Sequence, residues 1–347
     1  MGNSFKTILK QTSKDFKNRS VNPPLVRTST LVFKSMSDLR QTQKKSLKNP
    51  RGGYFDYGRQ GTSTTLELEK LLTKLEESYY TFLTPTGFGA VFLTLFSMLR
   101  PGDELIIADP VYSPTRNLTE KYLKDFQIHA NFYNPNDLST IKKNITKKTK
   151  LIYVENPGSN TFEFQDLGKI LSIAKRKKIY TAIDNTWGTP YFLKPIKLGF
   201  DLSIVSGTKY YSGHSDVMGG SLAVSQRVFR RVLQAHNMTG LRLSPDDAYL
   251  IMRGLRTLDV RLDKHQENTN RIARFLSQKK NIEVLYPFKK NSKNYKLWKK
   301  YYSGSSGLMG LKITSKNKKS VDKFVNSLKH FGHGYSWGGF ESLALHQ

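Results

Sequence analysis

The sequence predicts an α/β protein with a large domain, built on a mostly parallel sheet flanked by helices, and a smaller α/β domain following it. Three observations carry this prediction. Four short apolar runs have the length and β-branched content of buried strands, helical patterns separate most of them, and each ends abruptly in polar or aromatic residues. At 347 residues the chain is also too long for one small core.

In chain order, a polar and extended arm runs to about residue 60 and contains the break Asn22-Pro23-Pro24. Arms of this kind often wrap a neighbouring subunit. From Gly61 the pattern turns helical through Leu66 to Glu77, turns at Pro85 to Gly89, and continues as an apolar helix that Pro101-Gly102 stops. The apolar stretch Ala90 to Leu99 is about half the ~20 residues a membrane-spanning helix needs, so it reads as a buried helix. The four strand-like runs are Glu104 to Ala108, Leu151 to Val154, Tyr180 to Ile183 and Leu202 to Val205. Beyond about residue 225 the alternation weakens. A long helical pattern covers Pro245 to Phe275, a strand is expected over Gly304 to Thr314, and a helix over Ser320 to Phe331. The expected divisions are an arm over 1–60, a large ligand-binding domain over 61–255 and a small domain over 256–347.

Lys and Arg number 56 against 27 Asp and Glu, a net charge of +29. Such a charge attracts polyanions, but specific nucleic-acid readers concentrate it in one stripe or tail. Here the lysines are spread over Lys142 to Lys150, Lys279 and Lys280, and Lys289 to Lys300, which read as solvated faces, so no specific nucleic-acid partner is expected. The absence of cysteine excludes disulfides, thiolate metal sites and a cysteine nucleophile. The segment MGNSFKTILKQTSKDF has no apolar core of signal-peptide length, and Lys6 stands where a myristoylation motif wants Ser or Thr. A cytoplasmic protein without membrane association is expected.

In parallel sheets ligands bind beyond the carboxyl ends of the strands. The residues there are Asp109 to Tyr112, Glu155-Asn156, Asp184-Asn185-Thr186, and Ser206-Gly207-Thr208-Lys209. Any one group could merely cap the following helix; four together favour a site. An aspartate ending one strand and a lysine just past the next are placed to reach one ligand. Pyridoxal phosphate needs both, a lysine amine for attachment and a carboxylate against its pyridine nitrogen. Its phosphate could be met by the hydroxyls of Ser206 and Thr208 and by N–H groups where Thr86-Gly87-Phe88-Gly89 opens the apolar helix. No dinucleotide fingerprint or P-loop is present.

The stretches IDNTWGTPYF and DLSIVSGTKYYSGHSDVMGG resemble the cofactor-binding core of the Cys/Met-metabolism pyridoxal-phosphate enzymes. YGRQGTSTTLELEKLL, ADPVYSPTRN, YVENPGSNT, AYLIMRGLRTLDVRL, SGSSGLMG and SWGGFESL resemble further segments of that family in the right order, from about residue 20 to the last residue. SWGGFESL and GLRTLDVRL look most like their counterparts in bacterial cystathionine β-lyases.

The resemblance implies fold type I and a role for each matched residue. Lys209 would carry the cofactor and then move protons, Tyr112 would stack on its ring, and Asp184 would pair with the pyridine nitrogen. Gly87, Phe88, Ser206 and Thr208 would hold the phosphate. Tyr57 and Arg59 would reach the phosphate of a neighbouring subunit, with Tyr57 also near substrate, which makes a homo-oligomer a requirement; the family implies a tetramer built from dimers. Ser336 and Trp337 would line the substrate-carboxylate pocket. The implied reaction removes the α-proton and expels the β-sulfur group, so that cystathionine gives homocysteine, pyruvate and ammonia, a step of methionine biosynthesis. The sequence leaves open γ-lyase, γ-synthase and methionine γ-lyase activities, Trp337 and Arg116 leaning toward β-lyase by resemblance. A basic nucleic-acid-binding protein on an inactive scaffold is the reading from another class. The family places a carboxylate-binding arginine some thirty residues beyond SWGGFESL; the chain stops at Gln347, so the small domain is expected to be incomplete. Phe88 stands where methionine is common, and Asn237 lies near a position that often carries tyrosine. His214, beside Asp216, reads as scaffold, and the seven histidines lack metal-ligand spacing, so no metal is expected. Tyr210 and Tyr211 read as packing residues.

Overall fold

A computed structural model describes residues 4–11, 20–290, 292–315 and 317–347. Its centre is a seven-stranded sheet formed by β1 (Tyr80–Thr84), β2 (Glu104–Ala108), β3 (His129–Tyr133), β4 (Thr149–Glu155), β5 (Tyr180–Asp184), β6 (Leu202–Ser206) and β7 (Gly220–Val224). The order across the sheet is β1-β7-β6-β5-β4-β2-β3. The run from β6 to β3 is parallel, and β7 is antiparallel to both β1 and β6. A small antiparallel pair, β8 (Ile282–Leu285) and β9 (Gly310–Ile313), forms the second sheet.

Side chains alternate across a strand, and here both sides are apolar. Ile106, Ile152, Ile183 and Val205 enter one buried cluster, while Leu105, Ile107, Leu151, Tyr153, Ala182, Leu202 and Ile204 enter the cluster on the opposite face. This double burial explains the near-continuous apolar runs in the sequence. The helix Gly87–Met98 covers the second cluster with Ala90, Val91, Leu93 and Leu95. The helix Ser63–Glu76 covers the first through Leu68, Leu72 and Leu75. It starts where Thr62 and Thr65 form a capping box that satisfies N–H groups at its end.

Four expectations change in detail. The 1–60 segment is not wholly extended: Ser35 caps a helix over Met36–Lys48, none of whose residues is buried, and this surface helix has no apolar face for a sequence reading to find. Residues 12–19 of that segment lie outside the described residues. The 245–275 pattern is two helices, Pro245–Leu255 and Leu258–Leu276, because the chain turns at Arg256-Thr257. The strand expected over Gly304–Thr314 is confined to Gly310–Ile313. The helix expected over Ser320–Phe331 is Lys318–Asn326, capped by the Asn317 side chain. Past it the chain returns to the large sheet: Gly332 bridges Leu343, Trp337 packs on Tyr210 at 5.2 Å between ring centroids, and the Ser215 hydroxyl binds the Glu341 carboxylate.

Candidate active site

The carboxyl ends of β4, β5 and β6 lie side by side, so Glu155, Asp184 and Ser206 end adjacent strands. The chain turns sharply after β6, with the Lys209 N–H donating to Ser206 O at 3.2 Å, and this turn brings the lysine back over the strand ends. Desolvation lowers the Lys209 pKa below that of an ordinary lysine, while the charge of Asp184 acts in the opposite direction. Nζ donates to Ser336 Oγ at 2.7 Å and lies 5.4 Å from the Trp337 ring centroid.

Asp184 is braced by its own turn. Thr186 donates to Oδ1 through its N–H (2.9 Å) and its hydroxyl (2.6 Å), and the same hydroxyl oxygen accepts from Ser206 N–H at 2.9 Å. Burial raises the Asp184 pKa, while the Thr186 hydrogen bonds and Lys209 favour the charged form. Thr186 therefore links the end of β5 to the end of β6. The sequence reading left Thr186 without a role, although its place in IDNT, two residues after the aspartate, is the usual spacing for this kind of turn.

Against Ser206 lies the start of the helix Gly87–Met98, whose backbone N–H groups could hold an anion. Thr86 caps the helix Gly87–Met98 by accepting from Gly89 N–H at 2.8 Å, which leaves the N–H groups of Gly87 and Phe88 outside the helical ladder. A side chain at position 87 would meet Ser206, since a Cβ there would lie 2.5 Å from its Oγ, so only glycine lets the helix end and β6 approach this closely. Thr208 is fixed by accepting from Gly219 N–H at 3.1 Å.

Tyr112 precedes the short helix Ser113–Asn117, and its side chain is half-exposed. Its backbone N–H donates to Glu155 Oε2 at 2.7 Å, and the charges of Asp184 and Glu155 add to burial in raising its phenol pKa. Tyr57 and Arg59 are placed differently. The Arg59 guanidinium lies 5.9 Å from the Tyr57 ring and donates to Asn237 O at 3.2 Å; among the described residues neither makes a hydrogen bond to Lys209, Asp184 or Ser206. Arg116 is occupied by Asp109 and Glu120 and lies over Phe132. His214 Nδ1 bonds Ser212 O, Tyr210 hydroxyl oxygen accepts from Gly307 N–H, and Tyr211 hydroxyl donates to Glu76, all scaffold contacts.

Pyridoxal phosphate fits these residues. The Gly87 cradle, which a Cβ would fill, and the adjoining free N–H groups suit its phosphate, the partly buried Asp184 suits its ring nitrogen, and Lys209 supplies an amine with a lowered pKa between them. Fold and site together are those of a fold type I pyridoxal-phosphate enzyme. Residues 5–347 match the model of the Cys/Met metabolism PLP-dependent enzymes, and the chain belongs to that family. It is 34% identical over 339 residues to a cystathionine beta-lyase of Haemophilus influenzae, covering 96% of this chain and 84% of that one. To a cystathionine beta-lyase of Bordetella avium it is 34% identical over 326 residues, covering 93% and 81%. The solved structure of cystathionine gamma synthase from Xanthomonas oryzae pv. oryzae in complex with aminoacrylate and cysteine superposes with a TM-score of 0.90 at 29% identity, covering 99% of this chain and 86% of that chain. The protein is thus a pyridoxal-phosphate-dependent enzyme. No helix among the described residues is long and apolar enough to cross a membrane.

Proposed function

We propose that the protein catalyses β-elimination from cystathionine, releasing homocysteine, pyruvate and ammonia. The observation that carries this reading is the fold of the 336–341 segment onto the lysine: Ser336 bonds Lys209 Nζ and Trp337 lies beside it, so substrate meets the segment that resembles β-lyases at the reacting amine. The cystathionine beta-lyases among its relatives support it, while the likeness to a gamma synthase makes a γ-reaction the alternative.

When bound, pyridoxal phosphate supplies an electron sink for the carbanion formed as the α-proton leaves. The chain supplies the rest. Lys209 has its pKa lowered by desolvation, so more of it is a neutral amine able to take the substrate α-proton and return one to the departing thiolate. Asp184, braced by Thr186, keeps a negative charge facing the ring nitrogen. Gly87, Phe88, Ser206 and Thr208 would hold the phosphate, and Tyr112 would cover the ring. Ser336 and Trp337 line the substrate side. Tyr57 and Arg59, which among the described residues make no hydrogen bond to Lys209, would complete the phosphate site of a neighbouring subunit, making the working enzyme a homo-oligomer.

The test adds pyridoxal phosphate to the purified protein, records the visible band of the lysine-bound cofactor, then adds cystathionine. Pyruvate as the keto product supports β-lyase; 2-oxobutyrate assigns the γ-reaction instead. Lys209→Ala should abolish both band and product, and a variant that kept them would remove Lys209 from this role.

A further inference from the structure

We propose that Glu155 is a positioning residue of the cofactor site: it keeps a proton in the folded protein, fixes the turn at Tyr112, and leaves Asp184 as the negatively charged member of the pair. This inference rests on the pyridoxal-phosphate reading above.

The register of the sheet creates the pair. Glu155 on β4 is the direct partner of Asp184 on β5, so both side chains leave the same face from strands about 4.8 Å apart. Two carboxylates so close in a desolvated site do not both ionise, and the proton goes to the one whose charged form is less supported. Asp184 accepts two hydrogen bonds from Thr186 and faces the Lys209 charge. Glu155 likewise accepts two, from the Tyr112 N–H and the Ser159 hydroxyl, but among the described residues no cation acts on it, and its carboxyl is pushed up to about 8, by burial first and by the Asp184 charge second.

The other titratable groups around the pair are Tyr112 on the turn after β2, Tyr153 on β4, and Tyr302 and Lys209 next to Asp184. All three tyrosines have raised pKa values and stay neutral with their protons on, so the positive charge of Lys209 decides between the acids and acts on Asp184.

The positioning role follows from the local backbone. Tyr112 opens the helix Ser113–Asn117 without a side-chain cap of its own; the turn before it is held by Asp109 N–H to Tyr133 O and by Ser159 N–H to Pro110 O, and the bond from Tyr112 N–H to Glu155 Oε2 is the one that fixes Tyr112 itself. A protonated Glu155 makes that bond with its carbonyl oxygen and adds no second charge to a site that must take up an anionic cofactor.

The experiment uses the full chain as wild type, Glu155→Gln and Glu155→Ala, titrated with pyridoxal phosphate over a range of pH. Glu155→Gln, a neutral isostere that keeps the acceptor, should bind within about twofold of wild type near neutrality and lose the weakening that wild type develops above about pH 8, where Glu155 ionises. Glu155→Ala should bind about tenfold more weakly than wild type near neutrality, because the Tyr112 N–H is left without its acceptor, and like Glu155→Gln should show no weakening above about pH 8. In cofactor-free protein near neutrality, the infrared difference between wild type and Glu155→Gln should contain a protonated-carboxyl stretch from Glu155; the buried Glu69 and Glu76 are common to both proteins and cancel. Glu155→Gln binding as weakly as Glu155→Ala, Glu155→Ala binding like wild type, or an infrared difference without that stretch would each overturn the proposal. Wild-type protein that shows no visible band sinks the cofactor reading itself, while the infrared difference still reads the Glu155 proton.

Discussion

Lys209 Nζ and Ser336 Oγ lie 2.7 Å apart although 127 residues separate them in sequence. The bond ties the turn after β6 to the returning C-terminal segment. The Ser336 oxygen accepts from the ammonium and so favours the charged lysine, against the desolvation that lowers its pKa. Ser336→Ala should therefore move the Lys209 titration to still lower pH, read as the pH dependence of its modification by an amine-reactive reagent. It should also cost about 1 kcal/mol of stability in urea unfolding. An unshifted titration would show that the bond does not tune the amine.

Gly338 keeps this segment on the lysine. Its φ of 85° is a backbone state that side chains resist, and a Cβ there would lie 3.1 Å from the Lys209 carbonyl carbon and from Tyr210 N. Gly338→Ala should cost about 1–2 kcal/mol and lift the segment, so that Lys209 reacts faster with the same reagent. A variant with wild-type stability and lysine reactivity would mean that the segment relaxes in place.

Thr186 should matter more than its position on a loop suggests. Its hydroxyl donates to Asp184 and accepts from Ser206 N–H, joining the ring-nitrogen side of the site to the phosphate side. Thr186→Val keeps the shape and removes both bonds, leaving the Ser206 N–H unpaired at a cost of about 1–3 kcal/mol. The expected result is cofactor affinity weaker by about tenfold, measured by the visible band during titration. Unchanged affinity would place the bracing of Asp184 elsewhere.

The parts of the fold that follow from two-sided burial were legible in the sequence: the four apolar runs are β2, β4, β5 and β6, the heart of the parallel sheet. The strand-end rule then brought Asp184, Ser206 and Lys209 to one place. Three strands of the large sheet were missed for physical reasons. Gly220–Val224 carries Gly and Ser, and Tyr80–Thr84 is a five-residue run; the two are strands because they pair antiparallel with each other. His129–Tyr133 lies at the sheet edge with a partly polar sequence. Ser336 reached the site only by resemblance, since nothing local encodes a contact so distant in the chain. Glu155 was visible at a strand end, but that it pairs with Asp184 depends on the strand register, which no single-strand pattern contains.

Buried glutamates also set how the stability of the fold depends on pH. Glu76 is wholly buried beneath the sheet, where it accepts from the Tyr211 hydroxyl at 3.2 Å and the Ser203 hydroxyl at 3.4 Å. Burial pushes its carboxyl up to about 8 from an ordinary value of 4.5, the two hydroxyls opposing the shift. Between those values the folded protein keeps a proton that the unfolded chain has released, so stability falls as pH rises, by up to about 1.4 kcal/mol per pH unit for one such group. Above about 8 both states are ionised at this position and its contribution levels off. Glu76→Gln has no proton to lose, and the Tyr211 hydroxyl can rotate to accept from the new amide. The stability of Glu76→Gln relative to wild type should therefore grow steadily from about pH 5 to about pH 8 and then stay constant, as read by urea unfolding across that range. Glu69, Glu155 and Asp201, whose pKa values are also raised, are present in both proteins and drop out of the difference. A difference independent of pH would mean that Glu76 is ionised in the folded protein throughout and that its two hydroxyl partners outweigh the burial.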